Sequence, residues 1–135
     1  LQISDDIRLI EDLYHGKPRL TISGHGNRDG SMRHQQSDPR PISPVELHSM
    51  IERRDIKLDN YSNLRVVMCY GADKPITPSP YFSSFAQRFS NVTELPVKAY
   101  HGKITVFEPE TSNFPYEKRF QGKYFGIDKS PFKTF

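Results

Sequence analysis

The sequence predicts an α/β fold, a three-layer α/β/α sandwich built on a mainly parallel β-sheet. Runs typical of strands lie at residues 19–23, 64–68 and 96–100. Amphipathic patterns typical of helices alternate with these runs, and such alternation favours parallel strands with helices on both faces of the sheet. The run at 64–68 is apolar and β-branched, as in strands buried on both faces. The length of 135 residues fits one domain, residues 1–135.

Residues 4–14, SDDIRLIEDLY, have the pattern of a first amphipathic helix. Ser4 is a favourable N-cap, and the two aspartates after it suit the positive end of a helix dipole. The apolar stripe consists of Ile7, Leu9, Ile10, Leu13 and Tyr14. Gly16 and Pro18 are expected to end this helix. No strand is therefore predicted before the one at residues 19–23.

A long polar segment, residues 24–42, follows the first strand and is predicted to be a loop. Loops of this length in a compact domain are usually functional or disordered. We expect its portion from residue 27 to residue 42 to form a mobile rim beside a site on the sheet.

A second helix is predicted over residues 43–54. Ser43 is a favourable N-cap, Pro44 occupies the first helical position and Glu46 completes a capping box. The predicted buried face consists of Val45, Leu47, Met50 and Ile51. The strand at residues 64–68 follows this helix.

The last third of the chain continues the alternation. A third helix is predicted over residues 80–92, with one apolar face formed by Phe82, Phe85, Ala86 and Phe89. Residues 96–100 and 103–108 are expected to form either a hairpin or one bent strand around His101 and Gly102. The tail from residue 109 is rich in aromatic residues, prolines and lysines, and it predicts loops with a short strand pair.

Composition and charge exclude several classes of protein. The formal net charge is +3, and no block of five like charges occurs, so no nucleic-acid partner is expected. Cys69 is the single cysteine, which precludes an internal disulfide and favours a reducing compartment with a cytosolic site of action. No apolar run approaches the ~20 residues of a membrane span, and no signal peptide is visible. The start, LQISDD, lacks a methionine, so we expect a piece of a longer chain.

Two predicted strands end in chemically reactive side chains. His25 follows the strand at 19–23, and Cys69 follows the strand at 64–68. Ligands of parallel sheets bind beyond the carboxyl ends of the strands, so the two side chains meet if the strands are neighbours. A cysteine attacks as the thiolate, and a nearby histidine can accept its proton and later protonate a leaving amine. The pair therefore predicts a catalytic dyad.

Glycines flank both residues of the predicted dyad. Gly26 lacks a Cβ, which lets substrate approach closely, and Gly71 is expected to keep the far side of Cys69 open. The backbone N–H groups of Gly26 and Cys69 are candidates for an oxyanion hole. Asp29 and Asp73, each four residues after a dyad member, are candidate substrate-pocket residues. Asp29 is also a candidate for orienting the imidazole, and Asp73 for capping the next loop.

The pattern strand–Ser-Gly-His-Gly, helix, strand–Cys resembles the caspase-fold cysteine peptidases of clan CD. It is most similar to the self-processing cysteine protease domains of RTX-type and large clostridial toxins, which carry segments like SFAQRF and LPVKAYHGKITV. The resemblance covers about residues 19 to 108 and implies a caspase-like fold and endopeptidase activity. It assigns His25 as general base and acid, Cys69 as nucleophile and Gly26 as an oxyanion donor. It also implies a polypeptide substrate, either the chain itself or a host protein, and a secreted or translocated bacterial effector or toxin.

The resemblance further implies an activator, inositol hexakisphosphate, bound to a basic face. The candidate residues for this anion are Arg53, Arg54, Lys98, Lys103, Lys118, Arg119 and Lys123. No other cofactor is expected. His34 and His101 have no cysteine or histidine at metal-ligand spacing around them, so no zinc site is predicted.

Three alternatives stay open at this point. The chain is a non-catalytic caspase-like or flavodoxin-like binding module if Cys69 is merely a buried apolar residue. It is an acyl transferase or deamidase if the same dyad serves a different reaction. The basic candidates form only a solvated surface if no anion binds them. The sequence leaves the oligomeric state, the cleavage-site preference and the activation signal open.

Overall fold

The computed structural model describes residues 1–76, 82–104, 106–107, 126–127 and 132–135. Over these residues the protein is a mixed α/β domain with a five-stranded mixed sheet and two α-helices. The sheet order is β1-β2-β5-β6-β9, formed by Arg8–Tyr14, Lys17–Ser23, Asn63–Val67, Val97–Tyr100 and Phe132–Thr134. The central three strands are parallel, and both outer strands are antiparallel to their neighbours.

The first element is a strand, so the predicted helix at residues 4–14 is wrong. β1 pairs with β2 in an antiparallel hairpin that turns at His15 and Gly16. Both turn residues have positive φ, 51° and 76°, as a two-residue type I′ turn requires. Leu13 belongs to the apolar face of the predicted helix, but its side chain is 71% exposed. Ser4 caps no helix, because its hydroxyl donates to the carbonyl of His34.

The segment predicted as one polar loop, residues 24–42, contains a second hairpin. β3, Met32–Gln35, and β4, Asp38–Ile42, pair as an antiparallel two-stranded sheet. Met32 and Ile42 pair with each other and are buried in the core, which fixes the hairpin to the domain. The prediction of one loop is therefore wrong, and only the residues between β2 and β3 remain irregular.

The second predicted helix is confirmed as α1, Pro44–Glu52. Ser43 is its N-cap and accepts a hydrogen bond from the N–H of Glu46 at 3.2 Å. The side chain of Glu46 pairs with Arg40 instead of closing the capping box. Leu47 and Ile51 are buried as predicted, whereas Val45 is 59% exposed.

The third predicted helix is confirmed as α2, Phe85–Thr93, which begins after the N-cap Ser84. Three of its four predicted face residues, Phe85, Ala86 and Phe89, are fully buried. Phe82 precedes the helix and is 94% exposed, because the chain has not yet entered the helical turn that faces the core.

The region around His101 and Gly102 is neither a hairpin nor one bent strand. β6 ends at Tyr100, and β7, Val106–Phe107, lies in a separate sheet with β8, Gly126–Ile127. The partner of β6 on its outer side is β9, at the end of the chain. The expected strand pair of the tail is thus split between two sheets.

The two described helices share one face of the sheet. Each connects adjacent parallel strands in the same direction, β2 to β5 through α1 and β5 to β6 through α2, so right-handed crossovers place both on one side. The two helices accordingly pack against each other, and α2 packs on β6. Their inner surfaces cover a core of Leu20, Ile22, Leu64, Val66, Val97 and Ala99. The full three-layer sandwich stays a prediction.

Neither of these nine-residue helices, nor any other helix in the described part of the chain, has the length and apolar character needed to cross a membrane.

Candidate active site

The predicted dyad lies at the carboxyl edge of two adjacent parallel strands. β2 and β5 are hydrogen-bonded neighbours, and their last paired residues are Ser23 and Val67. The N–H of Gly24 donates to the carbonyl of Val67 at 3.0 Å, which carries the pairing one residue further. His25 lies two residues after Ser23, and Cys69 lies two residues after Val67. The condition for the two residues to share one edge, adjacency of their strands, is therefore met.

Gly26 brings the two loops into backbone contact. A Cβ at this position would lie 2.0 Å from the carbonyl oxygen of Cys69 and 2.7 Å from the terminal methyl of Met68. No side chain fits at such a distance from a backbone atom. The sequence predicted that Gly26 leaves room for substrate. The structure adds a second reason for a glycine here, because the His25 loop packs closely on the Cys69 loop at this residue.

The loop that carries His25 is fixed on both sides of Gly26. The carbonyl of His25 accepts from the N–H of Arg33 at 2.8 Å, and the N–H of Asn27 donates to the carbonyl of Ser31 at 2.9 Å. Within the described residues, neither the N–H of Gly26 nor that of Cys69 donates a hydrogen bond. The two N–H groups stay the candidate oxyanion donors.

The sulfur of Cys69 is held by the backbone of Ile104. The N–H of Ile104 donates to Sγ at 3.4 Å, and the Cys69 thiol donates to the carbonyl oxygen of the same residue at the longer distance of 3.7 Å. Cys69 is half-buried.

Asp6 is a candidate site residue that the sequence did not predict. One oxygen of its largely buried carboxylate lies 4.0 Å from Nε2 of His25, which is 62% exposed. The other oxygen accepts from two nitrogens of Arg33, at 3.0 and 3.1 Å. In catalytic triads a carboxylate orients the base through a hydrogen bond; here the two groups are 4.0 Å apart, so Asp6 is a candidate for that role when His25 is charged. The signal was hidden because residues 4–14 resembled a helix, in which Asp6 belongs to an exposed first turn.

We expect Asp6→Asn to lower kcat/KM for the activity proposed below by about 10²-fold, the effect typical of a small misplacement of a catalytic group. The variant should keep its fold, because the amide retains an acceptor for Arg33. Arg33→Gln is the matched control, since it removes the other partner of Asp6 and leaves the carboxylate beside His25. Equal losses in both variants would mean that the Asp6–Arg33 pair acts on stability only.

The two predicted pocket aspartates have different surroundings. Oδ1 of Asp29 accepts from the N–H of Ser31 at 3.0 Å and from its hydroxyl at 2.6 Å, which closes the turn before β3. Asp73 accepts from Nδ1 of His101 and from the N–H of Gly102, both at 2.7 Å. Asp73 and His101 also line a cavity of about 280 Å³ beside the N-terminus of α2.

The anion-binding candidates separate into several places. Arg53 and Arg54 line a cavity of about 300 Å³ at the end of α1. Lys103 is exposed beyond β6. Lys98 lies on the sheet face opposite the helices, with two cations that the sequence did not predict as site residues. Lys118, Arg119 and Lys123 lie outside the described residues.

We call Arg19, Arg65 and Lys98 the basic face. Lys98 is paired in register with Arg65, whose Nε donates to the hydroxyl of Thr21 at 3.0 Å on the next strand. Arg19 lies two residues before Thr21 and forms two hydrogen bonds to Asp12, at 2.5 and 2.8 Å. Burial, with the charge of Arg19, holds the pKa of Arg65 below its usual value. Burial also lowers the pKa of Lys98, and the Arg65 and Arg19 charges add to this.

No metal centre is formed by the described histidines. His34 pairs with Asp38, and His101 pairs with Asp73. Across residues 1–76, 82–104 and the short described strands, no group of three or more His, Cys, Asp or Glu side chains is placed to hold a metal ion.

No protein-family model, no curated protein and no solved structure matches this chain.

Proposed function

We propose that this domain is a cysteine endopeptidase, in which Cys69 is the nucleophile and His25 the general base and acid. The observation that carries the proposal is the position of both residues two steps beyond the last pair of β2 and β5, with their loops in backbone contact at Gly26. Adjacent parallel strands deliver the two side chains to one edge, where substrates of α/β folds bind.

The reaction follows from the chemistry of these groups. His25 accepts the thiol proton, and the Cys69 sulfur forms a bond to the peptide carbonyl carbon. The oxyanion that results accepts hydrogen bonds from the N–H groups of Gly26 and Cys69. The C–N bond then breaks as His25 protonates the leaving amine, which leaves a thioester on Cys69. Water, deprotonated by His25, attacks the thioester and releases the acid with the thiol restored.

The setting of this reaction comes from the resemblance alone. By that resemblance, the substrate is a polypeptide, either the longer chain that carries this domain or a host protein. The protein is then a bacterial effector or toxin that acts in a reducing cytosol after secretion or translocation. A single cysteine suits that compartment, since its catalytic form is the reduced thiol.

The proposal is tested by incubating the protein with a peptide library and analysing the products by mass spectrometry. Peptides with new termini are the expected result, because cleavage adds one water across a peptide bond. Products with converted side-chain amides or transferred acyl groups, at full peptide length, would instead identify a deamidase or acyl transferase. An unchanged library together with a Cys69 thiol inert to iodoacetamide would support the non-catalytic binding module.

The basic face is the best-supported site for the activating anion. The three cations lie on adjacent strands, and Asp12 pairs with Arg19. The burial and mutual repulsion that lower the pKa of Lys98 and Arg65 also disfavour their charged forms. A polyphosphate bound to these groups removes the repulsion, so its binding stabilises the fold. Inositol hexakisphosphate, the activator that the resemblance implies, has the required charge.

We expect inositol hexakisphosphate to raise the Tm of the wild-type protein, with about 2.7 kcal/mol of stabilisation at a ligand concentration 100 times Kd. Lys98→Gln should reduce this gain, while its Tm without ligand stays equal or rises because the repulsion is relieved. The matched control is the double variant Arg53→Gln/Arg54→Gln, which should respond as the wild type does. A response lost in the double variant and kept in Lys98→Gln would move the site to the end of α1.

A further inference from the structure

Asp73 connects the loop after Cys69 to the loop after β6. Its two carboxylate oxygens accept from different groups of that second loop, Nδ1 of His101 and the N–H of Gly102, each at 2.7 Å. Its own N–H donates to the carbonyl of Tyr70 at 3.1 Å. One side chain thus fixes the segment from His101 to Ile104 relative to the turn that follows Cys69.

The same segment contacts the predicted nucleophile. The carbonyl of Gly102 accepts from the N–H of Tyr70 at 2.7 Å, and the N–H of Ile104 reaches Sγ of Cys69 over 3.4 Å. Tyr70, directly after Cys69, has a φ of 61°, a left-handed conformation that costs a non-glycine residue about 1–2 kcal/mol. Strained residues of this kind persist where the surrounding contacts fix them. Here the hydrogen bonds to Gly102 and Asp73 do so.

We propose that Asp73 is a positioning residue, which holds the segment from His101 to Ile104 so that the Ile104 N–H stays directed at the Cys69 sulfur. The carboxylate suits this role because it can accept two hydrogen bonds at once, one from a side chain and one from the backbone. Nδ1 of His101 carries the proton in this arrangement. This inference rests on the proposed function for its biological meaning, but the reactivity of the thiol can be measured without any cleavage.

The alkylation rate of Cys69 by iodoacetamide, measured against pH, tests the proposal. The signal comes from one thiol, since Cys69 is the single cysteine of the chain. In Asp73→Asn the amide keeps one acceptor and loses the other, so one of the two hydrogen bonds is lost. We expect the midpoint of the pH profile to rise by about one unit, with about tenfold slower alkylation below the midpoint.

The direction in which the midpoint of the pH profile moves distinguishes a loss of positioning by Asp73 from the mere loss of its negative charge. Removing a negative charge near a thiolate, with nothing else changed, lowers the midpoint. A lower or unchanged midpoint in Asp73→Asn would therefore overturn the proposal. Among the described residues, the other charged or titratable groups of these loops are retained in this variant, namely Asp6, His25, Arg28, Asp29, Tyr70, Lys74, His101 and Lys103.

Two further variants complete the experiment. Asp59→Asn is the matched control, an acid-to-amide change at an exposed residue of the 3-10 turn Leu58–Asn60, and its pH profile should equal that of the wild type. His101→Ala removes one of the two bonds to Asp73, so it should raise the midpoint as well, and it serves as the test if Asp73→Asn fails to fold. A lower Tm with an unchanged profile would assign Asp73 a structural role only. If the wild-type protein cleaves no peptide but the alkylation profiles shift as predicted, the peptidase proposal is rejected and this inference is retained.

Discussion

Cys69→Ala is expected to abolish peptide-bond cleavage, and His25→Ala to lower kcat/KM by about 10²–10⁴-fold. The first variant removes the atom that forms the thioester, whereas the second removes only proton transfer. Both should keep the fold, because Cys69 is half-buried, the hydrogen bonds of its sulfur to described residues go to the backbone of Ile104, and His25 is exposed. Initial rates on the best peptide from the library, with circular dichroism as the folding check, measure both effects.

His48→Ala is the matched control for the histidine variant. His48 lies on α1, where it pairs with Glu52 at 3.0 Å, and its loss should leave cleavage unchanged. Full activity in Cys69→Ala would reject the peptidase mechanism. Full activity in His25→Ala, with loss in His101→Ala, would instead assign the base to the histidine that follows β6.

The neighbourhood of the two catalytic candidates was predictable because it depends on local signals. Two strand-like runs flank one well-capped helix, with Ser43 and Pro44 at its start, and β–helix–β units close on the same side of adjacent parallel strands. His25 and Cys69 are the polar residues at the ends of those runs. Their shared edge follows from this rule without knowledge of any long-range contact.

β1 could not be recognised in the same way, because its assignment depends on a partner. The apolar residues from Ile7 to Tyr14 satisfy a helical stripe, and only pairing with β2 makes the extended form more stable. The available signal was the His15-Gly16 dipeptide, a two-residue hairpin turn between two candidate strands. The error removed Asp6 from the predicted site, since its contact with His25 exists only when residues 8–14 form a strand.

The basic face was hidden for a related reason. Arg19, Arg65 and Lys98 belong to three strands and are far apart in sequence, so the register alone places them on one face. A shift of one residue in any pairing would turn a side chain to the opposite face. Sequence reasoning identified Lys98 as one basic residue among seven, and the pairing adds the two arginines beside it.

Gly26→Ala is expected to damage both stability and activity. The Cβ would lie 2.0 Å from the Cys69 carbonyl oxygen, and this neighbour is backbone, which cannot turn away as a flexible side chain does. One of the two loops must move, and we expect a loss of about 3 kcal/mol in the free energy of unfolding, at the upper end of overpacking effects. Because the loop that moves carries His25 or Cys69, kcat/KM should fall by about 10²-fold in the molecules that stay folded.

Gly16→Ala is the control that distinguishes the clash at Gly26 from the general cost of replacing a glycine by alanine. Gly16 has a φ of 76° and no atom within 4 Å of its Cβ position, so alanine there meets strain without a clash and should cost about 1 kcal/mol. The turn at Gly16 precedes β2, whereas the site follows it, so activity should be retained. Urea unfolding and kcat/KM of both variants give the comparison. Wild-type stability and activity in Gly26→Ala would mean that the loops of His25 and Cys69 do not touch, and the dyad would lose its structural support.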